Sequence, residues 1–293
     1  MLKRVGLFIL TNIAVMIVIS VVVRLTGVDR FMGANGIDFG MLFVFSAIIG
    51  FTGSFISLLM SKYMAKMSVG AQVITNPRNS TEAWLIDTVA KLSHKAGIKM
   101  PEVAIFNDSS PNAFATGAFK NSALVAVSTG LIDLMNENEI EAVLGHEIGH
   151  VANGDMVTLT LLQGVLNTFV VFFARIIGYF VDRVVLKNKD EQAGVGYLVA
   201  SIAAEIVLGI LASIIVMAFS RYREYRADEA GAYLSSKSNM IAALAALGRS
   251  KNEPHLPEAV KAFGINGKGL MQLFSTHPSL ESRIEKLKQS NIA

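Results

Sequence analysis

The stretch His146-Glu147-Ile148-Gly149-His150 has residue types and a spacing that specify a chemistry. On an α-helix, positions i and i+4 share a face. Both imidazoles can therefore reach one Zn²⁺ at about 2.0–2.1 Å, while Glu147 stands beside them where it can take a proton from a metal-activated water. With five histidines in 293 residues, composition predicts roughly 0.004 such patterns by chance. A catalytic zinc also needs a third protein ligand and an open position. A common three-histidine spacing would put that ligand six residues beyond His150, but Met156 stands there. The remaining candidates are His94, His255, His277 and the pair Glu224 and Asp228, again i and i+4. One of that pair can ligate while the other orients a ligand. The competing reading of the pair is a solvated helix face carrying Arg221, Arg223 and Arg226.

These residues need a helix under them, and the flanking sequence predicts one. Asn136 or Asn138 can cap it, and Glu137, Glu139 and Glu141 load the first turn with the sign the helix dipole favours. Asn153-Gly154 supplies the stop, and Gly149 alone argues mildly against a helix. Residues 70–155 read as an ordinary soluble segment. Trp84, Leu85, Val89 and Leu92 fall at helical spacing, capped by Asn79 or Ser80 and closed by Gly97. Glu102–Phe106, Ala113–Ala118 and Ala123–Ser128 are short β-prone runs, expected to form a small antiparallel sheet. Further helical patches lie at Met240–Leu247 and Ser279–Leu287.

The rest of the chain is unusually apolar: 52% hydrophobic and 17% charged, with a mean hydropathy of +0.49. Disorder and collagen-like repetition are excluded, and the absence of cysteine removes disulfide scaffolds, thiolate metal sites and cysteine nucleophiles. A net charge of +3 without a dense basic run gives no footprint for nucleic acid. The apolar residues are gathered in four stretches, each read as a membrane helix: Val5–Val23, taken as an uncleaved anchor, Phe39–Met60, Val157–Val181 and Val195–Phe219. Lys3, Arg4, Lys62 and Lys66 place the outer flanks of the first pair in the cytoplasm. Arg175 and Glu205 lie at similar depth in the second pair, where they either pair or Arg175 snorkels to the interface. That second pair falls between His150 and Glu224, so it must cross an even number of times if those residues are to meet. Both would then lie on the cytoplasmic side. Arg183, Lys187 and Lys189 in the hairpin linker weaken the charge argument. The expected organisation is two membrane helices in 1–60, a soluble segment in 61–156, a membrane hairpin in 157–219 and a second soluble segment in 220–293.

His146-Glu-Ile-Gly-His150 with Asn153-Gly154-Asp155, Glu224-x-x-x-Asp228, His277-Pro278 with Arg283, Asn112-Ala-Phe-Ala-Thr-Gly117 and the four apolar stretches together resemble the HtpX-like membrane zinc metallopeptidases of the M48 family over nearly the whole chain. The resemblance implies an α+β, mostly α protein: four membrane helices plus a cytoplasmic gluzincin-type domain. It implies one Zn²⁺ per chain held by His146, His150 and Glu224, with Glu147 as general base. Asp228 would orient a ligand, His277 and Arg283 would lie near the site, and His277 would donate to the oxyanion. Asn112 would contact substrate beside an edge strand. Read by themselves, His277-Pro278 is a helix-entry turn and Asn112 a turn residue after Pro111. The implied activity is endopeptidase cleavage of cytoplasmic regions of damaged membrane proteins in the bacterial inner membrane, as quality control under stress. An intramembrane zinc site is disfavoured by the polar residues around His146. The alternatives of another class are a membrane zinc-binding or transport protein without peptidase activity and an idle scaffold.

Overall fold

The computed structural model describes residues 38–190, 193–249 and 275–292, and each long apolar run within them forms one helix. These are α1 (Phe39–Val69), α5 (Asp155–Phe180), which continues as a π-helical turn over Val181–Val185, and α6 (Val195–Leu234). All three are long and apolar enough to cross a membrane. The 31 residues of α1 extend about 46 Å, more than the roughly 30 Å of hydrocarbon. Each helix therefore outlasts the apolar stretch read from the sequence. The expected span Val5–Val23 lies outside the described residues.

Among the described residues the chain divides into two compact units, one within 38–56 and 160–213 and one within 57–159 and 214–292. In the first, Arg175 Nη2 and Glu205 Oε1 lie 3.1 Å apart. The two charges within these apolar helices pair across them, the arrangement expected of charges placed in hydrocarbon. At the hairpin end, buried Asp182 accepts from Asn188 Nδ2 (2.9 Å) and Gly194 N (3.2 Å), tying the π-helical turn to the start of α6.

The second unit is built on a four-stranded sheet of β1 (Gln72–Val73), β2 (Glu102–Phe106), β3 (Ala113–Thr116) and β4 (Leu124–Ser128) in the order β1-β2-β4-β3. The sheet is mixed, which corrects the antiparallel expectation: β2 and β4 run parallel, with Glu102 opposite Leu124 and Phe106 opposite Ser128. All five residues of β4 are buried. A strand covered on both faces is most stable with neighbours on both edges, so β4 folds back between β2 and β3 and leaves β3 at the edge. The connection Asn107–Asn112 needs to pass only two strand spacings, roughly 10 Å. It is pinned where Gly130 N donates to Asp108 O (2.8 Å) and Asn112 N to Ser128 Oγ (2.9 Å).

Around the sheet lie α2 (Ser80–Lys95), the short α3 (Thr129–Leu134), α4 (Glu137–Asn153), α7 (Lys237–Arg249) and α8 (Leu280–Gln289). Leu85 and Val89 of α2, Leu144 and Ile148 of α4, Leu244 of α7 and Leu287 of α8 share one core with Val125 and Val127 of β4. Phe106, Leu124 and Ala126 pack on the opposite face.

The helix ends follow local chemistry. Asn79 caps α2 by accepting from Glu82 N at 2.8 Å. Of the two candidates for α4 the cap is Asn136. Its side chain accepts from Glu139 N while Glu139 accepts from Asn136 N, both at 3.1 Å, the reciprocal arrangement of a capping box. Asn136→Ala removes that box, and chemical denaturation of the detergent-solubilised chain is expected to show a loss of about 1 kcal/mol.

Candidate metal centre

The ordering of α4 and α6 brings one atom each from His146, His150 and Glu224 within 4.8 Å of one another. His150 Nε2 lies 3.2 Å from His146 Nε2 and 3.2 Å from Glu224 Oε1, and His146 Nε2 lies 3.6 Å from Glu224 Oε2. Tetrahedral ligands at 2.0–2.1 Å from a zinc ion are separated from one another by roughly 3.3 Å. The two imidazole nitrogens and the Glu224 carboxylate thus stand near zinc spacing, the carboxylate meeting each nitrogen through a different oxygen, and Glu224 Oε2 is buried without a hydrogen bond, its contacts being ion pairs to Arg283 Nη1 (3.4 Å) and His277 Nε2 (3.5 Å). A buried carboxylate oxygen held only by such long contacts gains from a closer cation. The residues fit a single zinc site.

The two helices can approach this closely because Gly149 lacks a side chain. A Cβ there would come within 2.6 Å of Ala230 Cβ. The residue that argued against a helix on propensity is what lets α4 lie against α6. At the end of α4, Gly154 adopts a left-handed conformation (φ 67°), accepted without strain only by glycine and a few polar residues, and the chain turns directly into α5.

That turn delivers Asp155 back to the site. Its Oδ2 lies 2.7 Å from His150 Nδ1, it is 1% exposed, and its other oxygen is held by Arg223. The second histidine has a matching arrangement. Asp228 Oδ1 lies 3.0 Å from His146 Nδ1, while Arg283 donates to Asp228 through Nε (2.8 Å) and Nη2 (2.5 Å). Each imidazole thus has its Nδ1 fixed by a carboxylate that an arginine fixes in turn. Sequence reasoning singles out Asp228 and Arg283 for the site but assigns no role there to Asp155 or Arg223. The signal lies in the Asn-Gly-Asp sequence, since a left-handed glycine after the helix reverses the chain toward the preceding turn.

The electrostatics follow. Burial opposes protonation of His150, but hydrogen bonds to Asp155 and Glu224 and the charge of Glu147 outweigh it and push it up to about 10. Burial raises Glu224, yet the His150 hydrogen bond and the charges of His146, His277 and Arg283 bring it down to about 2. Asp228 is likewise held below the usual range, with burial opposed by the hydrogen bonds from Arg283 and His146. Glu147 goes the other way: burial raises it, the Glu224 charge adds to this, and the neighbouring histidines offset only part. Its carboxylate also accepts from the backbone N–H of Ala115. That N–H is therefore turned away from β4, and edge strand β3 passes alongside Glu147.

His277 Nε2 lies 3.5 Å from Glu224 Oε2 with 59% of its side chain exposed, at the open side of the cluster. It sits just before Ser279, which caps α8. Asn112 is exposed at the start of β3, with its backbone held by Ser128. Asn112 is not among the residues that meet at the cluster. His94 is exposed in the last turn of α2, away from the cluster, and His255 lies outside the described residues.

Comparison with known proteins gives a consistent picture. The profile of Peptidase family M48 matches residues 79–291. The Protease HtpX of Hydrogenovibrio crunogenus is 58% identical over 289 residues, which covers 98% of this chain and 97% of that protein. The Protease HtpX of Stutzerimonas stutzeri is 59% identical over 98% and 99% of the two chains. Among solved structures, the crystal structure of S. mikatae Ste24p superposes with a TM-score of 0.61 at 17% identity, covering 92% of this chain and 66% of that one. That last likeness concerns the fold alone, and this chain spans about two thirds of that structure's length.

The upward shift of His150 has a direct consequence. Its proton is bound at neutral pH and must leave before Nε2 can meet a metal, so zinc affinity should rise with pH through neutrality. Calorimetry of zinc binding in buffers of different ionisation enthalpy should register release of about one proton. Asp155→Asn leaves the shape intact but removes the carboxylate from His150, and equilibrium dialysis should show zinc affinity about 10- to 100-fold weaker.

Proposed function

The chain belongs to Peptidase family M48 and is a membrane zinc metallopeptidase, and we propose that His146, His150 and Glu224 hold its single zinc ion with Glu147 as general base. The observation that carries this reading is the gathering of two imidazole nitrogens and a buried carboxylate oxygen within 4.8 Å of one another. Bound there, zinc supplies Lewis acidity, lowering the pKa of a coordinated water toward about 7 and polarising the scissile carbonyl.

The protein's own groups do the rest. Glu147, whose carboxyl burial pushes up from its ordinary value, accepts the proton that the attacking water gives up and passes it to the leaving amine. His277, exposed at the open side, donates to the oxyanion that develops on the carbonyl. Asp155 and Asp228 keep both imidazoles in the tautomer that presents Nε2, and Arg223 and Arg283 hold those carboxylates in place. A substrate in extended form adds to β3 as a strand, where the backbone supplies hydrogen bonds irrespective of sequence. Asn112, exposed at the start of that strand, contacts the peptide.

The topological part of the proposal adds Val5–Val23 as a fourth span, giving membrane helices in 1–60 and 157–219 and a peptidase domain assembled from 61–156 and 220–293. A hairpin between His150 and Glu224 and the lysines at 62 and 66 support a site on the cytoplasmic side of a bacterial inner membrane. Its substrates would be cytoplasmic regions of membrane proteins, and damaged ones in a quality-control role.

Glu147→Gln separates peptide hydrolysis from zinc binding or transport. The purified variant should keep one zinc per chain by metal analysis while cleavage of a membrane-protein substrate falls by at least about 100-fold. Undiminished cleavage would remove Glu147 from the mechanism.

A further inference from the structure

Strands β3 and β4 are joined by Gly117-Ala-Phe-Lys-Asn-Ser-Ala123, a tip closed where Ser122 N donates to Phe119 O at 2.9 Å. Phe119 is 56% exposed at this tip among the described residues, next to exposed Lys120, Asn121 and Ser122. A single exposed phenylalanine is ordinary on a protein surface. Its position in the fold is what gives it meaning.

Two independent tethers define that position. Thr116 and Glu102 both register with Leu124, so the tip and Glu102 occupy the same end of the sheet. Glu102 is gripped by Lys62 Nζ at 2.7 Å and also by Lys66, and Lys62 stands two residues beyond the uncharged run Phe39–Met60. On the other side Lys120 donates to Ala152 O, three residues before the start of α5. A third exit coincides with these, because Arg223 of α6 pairs with Asp155, the first residue of α5. The points where the three apolar helices give way to polar sequence are thus joined to the end of the sheet that carries Phe119.

We infer that the hairpin tip Gly117–Ala123 is a membrane-surface anchor, with Phe119 inserted into the interfacial layer of the bilayer that the chain itself spans. The chemistry suits that partner. Aromatic rings concentrate at the boundary between headgroups and acyl chains. The tip leads directly out of β3, the strand whose Ala115 N–H reaches Glu147. Anchoring it holds the edge strand close to the bilayer, where a chain emerging from the membrane can meet it in extended form. The anchor rests on the chain's being a membrane protein and not on its peptidase activity.

Because the chain has no cysteine, Phe119→Cys introduces a single thiol for a nitroxide label in the full-length protein in lipid nanodiscs. Collisional relaxation by oxygen and by a neutral nickel chelate then reports depth. The oxygen-to-nickel ratio at 119 should exceed several-fold that of Lys91→Cys, on α2, whose side chain is 70% exposed. Equal ratios at 119 and 91 would put the tip in water, and exclusion of both reagents at 119 would mean another part of the chain covers it. Either result overturns the anchor. Ile48→Cys, 60% exposed in the α1 span, reads the membrane itself: an oxygen-rich signal there is expected, and a water-like one would overturn the spanning reading and the anchor with it.

Discussion

Two imidazoles and a buried carboxylate held within 4.8 Å of one another form an arrangement that water-free packing does not tolerate unless something positive completes it. Glu147, Asp155, Glu224 and Asp228 bring four carboxyl groups to this one place, while Arg223 and Arg283 supply two fixed cations. Protonation of His150 meets the imbalance, and a divalent cation would take over that role. The upward shift of His150 expresses the carboxylates gathered around it, and the low value of Glu224 expresses the positive groups gathered around that carboxylate: His150, His146, His277 and Arg283.

Keeping such a cluster together requires stiff elements, and helix packing provides them. α4 presents both histidines from one face, and α6 presents Glu224 and Asp228 from one face. Their approach depends on Gly149 against Ala230. An interior glycine costs a helix about 1 kcal/mol relative to alanine, an amount that the capping box at Asn136 offsets locally. Local propensity and tertiary packing disagree at Gly149, and the packing prevails, bringing His146 and His150 within reach of Glu224.

The sheet contributes reach rather than ligands. By burying β4 on both faces and leaving β3 at the edge, it runs a free strand edge past Glu147. An antiparallel order following the chain would have placed β3 in the middle, with its N–H and C=O groups consumed by two neighbours. The parallel pairing of β2 with β4 is therefore what leaves β3 at the edge beside Glu147.

Several elements were legible in the amino-acid sequence because short-range physics sets them. The β2 limits, an asparagine cap at 136 or 138, the Gly154 stop and the apolar runs of α1, α5 and α6 depend on residues within a turn or two of one another. The helical spacing of His146 and His150 belongs to the same class. Three other histidines and a pair of carboxylates were candidates to join them, and only the tertiary structure decided that Glu224 shares their space while His94 stands apart. It also decided that Asp155 and Arg223 complete one histidine's support, that Arg175 meets Glu205, and that the sheet is mixed. Apart from the contact of Asp155 with His150, five residues apart, each of these joins segments separated by an apolar helix or a strand, and the pairing that prevails is the one that neutralises buried charge and fills the core at once. No local pattern encodes that sum.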